Sequence, residues 1–351
     1  MSFDLNALVR PNIRNLVPYS SARDEFKGEA SIFLDANENS LGSPLTKWYN
    51  RYPDPLQWEV KKKISAIKGT PAEHIFLGNG SDEAIDLLFR AFCEPGMDNV
   101  VICPPTYGMY EVSANINNIG LKKVPLTPDF QIDLDAMEGA IDRNTRIIWL
   151  CSPNNPTGNS LNREDIEIIL NNFEGLVVID EAYINFSRQR SFIPELSEYP
   201  NLVILQTMSK AWGLAALRIG MAFASKEIIE VINRIKPPYN ISQAAQDLVL
   251  QALDHVDEVN NMIRILVEER KKLEESLLEL PQVIQVYPSD ANFLLVKTID
   301  AKGLYKYLVE KGVVVRDRSN VLLCEESLRI TVGTPSENTA LLKMISEFEK
   351  A

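Results

Sequence analysis

The stretch TRIIWLCSPNNPTGNSLNREDIEIILNNFEGLVVIDEAY, residues 145–183, decides the fold. It holds two short, continuous apolar runs, TRIIWLC (145–151) and LVVID (176–180), with a sharp turn and a helical pattern between them. Runs of this length, rich in β-branched residues, suit strands buried on both faces. Working outward, the same kind of run recurs at NVVIC (99–103), LVILQ (202–206) and IGMAFA (219–224). Amphipathic segments alternate with them. In SDEAIDLLFRAF, residues Ile85, Leu88, Phe89 and Phe92 fall on one helical face, and Ser81 or Asp82 is the natural N-cap. Strand and helix alternation of this kind predicts an α/β fold, with a mostly parallel sheet covered by helices on both sides.

After about residue 241 the character changes. Residues 242–280 read as long helix, bent or broken near His255, with Leu273, Leu277 and Leu280 on one stripe. Short strands (NFLLVK, VVVR, SLRITV) and two helices (301–311 and 336–350) follow, which predicts a smaller α+β domain. The expected division is a large domain over 30–240, with 1–29 and 241–351 forming an N-terminal arm and the small domain. The arm is expected to stand alone or to pack on the small domain.

The 351 residues carry 36 Lys plus Arg against 48 Asp plus Glu, a net charge of −12, which argues against nucleic acid as a partner. No run is long enough for a membrane span, and the N-terminus MSFDLNALVRP lacks the apolar core of a signal peptide. Cys93, Cys103, Cys151 and Cys324 form no C-x-x-C pair, and His74 and His255 have no ligand spacing, so no metal site is expected. Isolated, apolar-flanked cysteines suit a reducing compartment.

Four features near strand ends carry chemistry, where open α/β sheets gather ligands. The run Gly78-Asn79-Gly80-Ser81-Asp82-Glu83 fails the dinucleotide fingerprint at Glu83, leaving a glycine turn that feeds a helix N-terminus. Such a turn suits a phosphate, and alone it also fits an ordinary strand-to-helix connection. Residues 152–158, SPNNPTG, form a rigid turn in which Asn155 can offer its amide to a ligand oxygen. Asp180 and Glu181 end a buried strand, where a carboxylate needs a cation or donors. A protonated ring nitrogen, a metal pair and a helix cap all meet that need, although no G-x-x-x-x-G-K-[ST] loop accompanies it. In TMSKAWGL (207–214), Lys210 lies among apolar and donor groups that would lower its pKa and allow a Schiff base, and Thr207, Ser209 and Arg218 suit an anion.

Together these residues resemble the histidinol-phosphate aminotransferase family of fold-type-I enzymes. The motifs N-R-Y-P-D (50–54), G-S-D-E (80–83), P-P-T-Y (104–107), S-P-N-N-P-T-G, D-E-A-Y and S-K-A-x-x-L occur in that family's order and spacing. The loop Asn37-Glu38-Asn39-Ser40 departs from N-E-N-P at Ser40. The resemblance implies a mostly parallel seven-stranded sheet and pyridoxal 5′-phosphate as cofactor. Lys210 would hold the cofactor and move a proton, and Asp180 would pair with its ring nitrogen. Asn155 and Tyr183 would bond its phenolate oxygen, and Tyr107 would stack on the ring. Ser81, Asp82, Thr207, Ser209 and Arg218 would hold its phosphate, joined by Tyr52 from the partner of a homodimer. Arg329 would take the substrate α-carboxylate, with Arg316 and Tyr19 the candidates for the substrate phosphate or imidazole. The implied reaction moves an amino group between L-glutamate and imidazole acetol phosphate, giving 2-oxoglutarate and L-histidinol phosphate, a cytoplasmic step of histidine biosynthesis. A threonine-phosphate decarboxylase or an aromatic aminotransferase of the same fold is the alternative.

Overall fold

The structure is a computed structural model, which describes residues 3–19 and 31–349. Its large sheet has seven strands: β1 (Ile75–Asn79), β2 (Asn99–Ile102), β3 (Gly120–Lys123), β4 (Thr145–Cys151), β5 (Leu176–Asp180), β6 (Leu202–Thr207) and β7 (Ile219–Phe223). They lie in the order β1-β7-β6-β5-β4-β2-β3. The block β6-β5-β4-β2-β3 is parallel, and β7 runs antiparallel to both β1 and β6. All five runs expected from the sequence are therefore strands, and the sheet is mostly parallel.

Alternation assigns the two cores. Ile148 and Leu150 of β4, Val177 and Ile179 of β5, and Leu202 and Ile204 of β6 point into one. Their neighbours Ile147, Trp149, Val178, Val203 and Leu205 point into the other. This two-sided burial is why these strands read as unbroken apolar runs. The strand β3, GLKK, was not anticipated because it lies at the sheet edge with its residues partly or fully exposed, and so carries no apolar signal.

Twelve α-helices are described. The arm supplies α1 (Leu5–Leu8) and α2 (Pro11–Arg14). Around the large sheet lie α3 (Trp58–Lys68), α4 (Ser81–Phe92), α5 (Met109–Ile116), α6 (Leu134–Ala140), α7 (Arg163–Asn172) and α8 (Lys226–Ile235). Then come α9 (Gln243–Ala252), α10 (Val256–Leu278), α11 (Ala301–Glu310) and α12 (Pro335–Ser346). The long helical stretch does break at His255, which is the N-cap residue of α10.

The arm corrects one expectation. It packs on the helices of the large sheet. Leu8 and Val9 enter the core beside Leu87 and Phe92, the Arg10 amide donates to the Ala91 carbonyl at 3.0 Å, and Arg10 Nε pairs with Glu94 at 3.0 Å. Arg234 on α8 donates to the carbonyls of Ile13 and Arg14.

A second, antiparallel sheet has the order β10-β11-β9-β8. Its strands are β8 (Val283–Val286), β9 (Phe293–Thr298), β10 (Arg316–Asp317) and β11 (Ser327–Thr331). Helices α11 and α12 and the end of α10 cover it, burying Leu273, Leu277, Leu304, Leu308, Leu341 and Ile345. Most of the run VVVR expected as a strand is unpaired, and only its last residue joins β10. Strand β8 escaped the sequence reading because only one of its four residues is buried. A capping box between Thr334 and Glu337, followed by Pro335, fixes the start of α12.

One close approach shapes the upper edge of the large sheet. A Cβ built on Gly220 in β7 would overlap the backbone of Gly80 and Ser81, so glycine lets β7 touch the turn that starts α4. Substituting Gly220→Ala should therefore cost at least about 1–3 kcal/mol of stability. Urea unfolding of the two proteins checks this, and an unchanged midpoint would show that the turn yields freely.

Candidate active site

The carboxyl ends of β4, β5 and β6 lie side by side, with Cys151 in register with Asp180 and Asp180 with Leu205. Above them opens a cavity of about 780 Å³, walled on the far side by β10 and β11 of the second sheet. Ser81, Asp82, Tyr107, Asn155, Asp180, Tyr183, Thr207, Ser209, Lys210, Arg218, Arg316 and Arg329 all line it. Twelve of the fourteen residues singled out from the sequence thus meet in one place.

Asp180 is the last residue of β5 and is buried. Its Oδ2 accepts the Tyr110 hydroxyl at 2.7 Å and its Oδ1 accepts the Ala182 amide at 3.1 Å. Burial outweighs those two bonds and pushes its pKa up to about 6. Tyr110 was not anticipated from the sequence. It is fully buried, stacked on Trp149 at 5.1 Å and edge-on to Tyr107 at 5.6 Å. Its position one helical turn after Tyr107 was the available signal.

Lys210 reaches the cavity from the loop after β6, with its Nζ 5.7 Å from the Tyr183 ring centroid. Desolvation lowers its pKa, the Arg329 charge lowers it further, and Asp180 opposes both. A lysine whose pKa falls keeps more of its amine neutral and nucleophilic. Asn155 joins the two sheets. Its Nδ2 donates to the Tyr183 hydroxyl at 3.4 Å, and its Oδ1 accepts Arg329 Nη1 from β11. The turn that carries Asn155 is pinned by buried Asn154, whose Nδ2 donates to the Pro105 carbonyl and to Thr157 Oγ1, both at 2.8 Å.

The same cavity has a corner whose groups suit an anion. Gly80 takes the N-cap place of α4 with φ +73°, in place of the expected Ser81 or Asp82, and no side chain caps the helix. The first amides of α4, those of Ser81 and Asp82, therefore keep their helix-dipole attraction for an anion. Arg218 adopts the left-handed conformation (φ +56°), uncommon for a residue with a side chain, and its carbonyl accepts the Gly80 amide at 2.7 Å. Its guanidinium makes two long contacts, Nη1 donating to the Ala215 carbonyl at 3.4 Å and Nη2 reaching Asp82 Oδ2 at 3.5 Å, while Asp82 Oδ1 accepts the Tyr107 hydroxyl at 3.0 Å. Thr207 Oγ1 donates to the Ile219 carbonyl at 3.2 Å and accepts the Ser209 amide at 3.0 Å.

Two of the expected residues lie elsewhere. Tyr19 is 74% exposed and lines a separate, larger cavity of about 1190 Å³ beside Lys61 and Lys236, because the arm that carries it follows α8 along the large sheet. Tyr52 stacks on Tyr239 at 4.5 Å, outside the cavity of its own chain. Arg318 is a wall residue that the sequence reading passed over. It follows Arg316 by two, the spacing that puts strand residues on one face.

The sequence pattern of the family described as aminotransferase class I and II spans residues 36–345. The chain belongs to that family. It is 55% identical over 348 residues to the histidinol-phosphate aminotransferase of Cytophaga hutchinsonii, covering 99% of this chain and all of the relative. It is 56% identical over 346 residues to that of Parabacteroides distasonis, covering 99% of each. Among solved structures, the histidinol-phosphate aminotransferase from Clostridium acetobutylicum superposes with a TM-score of 0.78 at 26% identity, over 85% of this chain and 90% of that one. The L-threonine-O-3-phosphate decarboxylase from Porphyromonas gingivalis gives 0.72 at 25% identity, over 85% and 90%.

Asp180 gives a stability test in the ligand-free protein. Its raised pKa means that the folded state holds the proton more tightly than the unfolded chain. That contribution is fully present below about pH 4 and lost as the pH rises through about 6. Asp180→Asn has no such loss, so relative to wild type it should gain about 2–3 kcal/mol between pH 4 and pH 8. Denaturation curves at the two pH values check this, and a constant difference would contradict the buried ionisation.

Proposed function

We propose that this aminotransferase moves an amino group between L-glutamate and imidazole acetol phosphate, yielding 2-oxoglutarate and L-histidinol phosphate in histidine biosynthesis. The observation that carries the reading is one cavity that joins a cation-seeking buried carboxylate, an amine of lowered pKa and an arginine wall on the second sheet, in a chain more than half identical to enzymes of that name. The cofactor is pyridoxal 5′-phosphate, and the residues present fit it. Asp180 has no cation among its hydrogen-bond partners, α4 begins uncapped, and the Arg218 guanidinium is only loosely held.

When bound, the cofactor supplies an electron sink for the pair released at the substrate α-carbon and a carbon that carries the amino group. Asp180 would pair with the ring nitrogen, and that cation would bring the raised pKa of the carboxylate back down. Asn155 and Tyr183 would bond the phenolate oxygen, and Tyr107 would cover the ring face. The Ser81 and Asp82 amides, the Thr207 and Ser209 hydroxyls and Arg218 take the phosphate. The Lys210 amine would hold the group covalently and, when free, would move the proton at the substrate α-carbon. Arg329 receives the substrate carboxylate as a bidentate pair, and Arg316 stands beside it for the larger phosphate.

The working unit in this reading is a homodimer, with Tyr52 reaching the partner's cofactor phosphate. In support, the segment around it exposes Ile32, Leu34, Leu41, Leu45 and Trp48, each at least 60% accessible in the single chain. Four buried, unpaired cysteines suit a cytoplasmic location.

The test is the absorbance of the holoenzyme. L-histidinol phosphate should bleach the band of the lysine-bound cofactor and 2-oxoglutarate should restore it. A band that answers only to aromatic amino acids, or carbon dioxide release from threonine phosphate, would overturn the substrate assignment. Lys210→Ala should lower turnover by about 10⁴-fold. A Tyr52→Ala subunit mixed with a Lys210→Ala subunit should regain activity through one intact composite site, measured against either variant alone.

A further inference from the structure

Arg316 and Arg329 face one another directly across β10 and β11, and the Arg318 amide donates to the Ser327 carbonyl at 2.9 Å, two places along the same ribbon. Period-two alternation puts all three guanidinium groups on one face, and all three line the cavity. Like charges opposed across a ladder repel. No carboxylate forms an ion pair with any of the three among the described residues. The two acids of the cavity are engaged elsewhere, Asp82 by Tyr107 and Arg218 and Asp180 by Tyr110 and Ala182. Arg318 differs from Arg316 in a telling way. Arg316 is open to solvent, whereas Arg318 is half-buried and its Nε is shielded with no acceptor on it.

The two substrates of the proposed reaction differ at the matching end of the molecule. Glutamate presents a planar carboxylate on the amino-bearing carbon, which one arginine satisfies bidentately. Histidinol phosphate has in its place a phosphate ester set back by a CH₂–O link, with a third oxygen and about one further charge. One guanidinium leaves that third oxygen and that charge to the neighbouring arginines, of which Arg316 is exposed and Arg318 half-buried.

We propose that Arg318 is a further specificity-determining residue for the phosphate ester: with Arg316 it extends the Arg329 carboxylate site into a phosphate site, and it contributes little to glutamate. The proposal rests on the functional reading above. Desolvation and the charges of Arg329 and Arg316 lower the Arg318 pKa, the environment of a cation that lacks its anion. The partial burial of Arg318 also strengthens the contact, since charge-assisted bonds gain as water is excluded.

The experiment uses holoenzyme, in which the cofactor already occupies the other anion corner. The two half-reactions are followed separately by cofactor absorbance for wild type, Arg318→Gln and Arg318→Lys. Inorganic phosphate binding is measured on the same proteins by calorimetry. Arg318→Gln should lower kcat/KM for L-histidinol phosphate by about 10- to 100-fold, chiefly through half-saturation. Glutamate should change by less than about threefold, phosphate should bind about tenfold more weakly, and Arg318→Lys should recover part of both losses. Equal losses with both substrates, or unchanged phosphate binding, would overturn the proposal. If wild type ignores histidinol phosphate, the functional reading fails. The phosphate series still decides whether Arg318 holds a phosphate.

Discussion

A carboxylate buried at the end of a central strand, without a cation of its own, is the constraint on which the rest of the structure depends. Asp180 can stand there only because parallel register brings the ends of β4 and β6 alongside and because Tyr110 and the Ala182 amide donate to it. Even so, burial dominates and the group holds its proton up to about pH 6. A folded chain that keeps so costly a group has a use for a cation at that point. The lowered pKa of Lys210, the uncapped helix start at Gly80 and the loosely held Arg218 are the same statement made at three other places.

The large sheet was legible because its strands are buried on both faces. TRIIWLC and LVVID announce themselves without any knowledge of their neighbours, and so does the helix Ser81–Phe92. The elements that went unread, β3 and β8, have half or more of their residues facing water, so their pattern is set by pairing partners far away in sequence. The arm was misplaced for a related reason. What holds it is Arg10 against Ala91 and Glu94, a contact spanning some eighty residues that no local periodicity encodes.

The site divides in the same way. Residues inside contiguous motifs, such as Asp180 with Tyr183 and Thr207 through Arg218, could be named from the chain and do converge. Tyr110 and Arg318 acquire meaning only once a tertiary neighbour is known: the carboxylate of Asp180 for one, the Ser327 carbonyl of β11 for the other. Tyr19 is the reverse case. A tyrosine set in a motif carries no information about where a terminal arm lies, and here the arm leads it to a different cavity.

The second sheet holds its arginines with unequal firmness. Arg329 sits in the middle of β11, which has β9 on one side and β10 on the other, so its backbone is fixed from both directions. Arg316 belongs to a strand of two residues at the sheet edge, and Arg318 lies just past its end. The wall therefore resembles a vice with one fixed jaw and one adjustable jaw. In the proposed reading the fixed jaw would meet the negative charge that both substrates bring to the same spot. The adjustable jaw can close by different amounts on anions of different bulk, which is what an enzyme needs when two dissimilar molecules must take turns in a single seat.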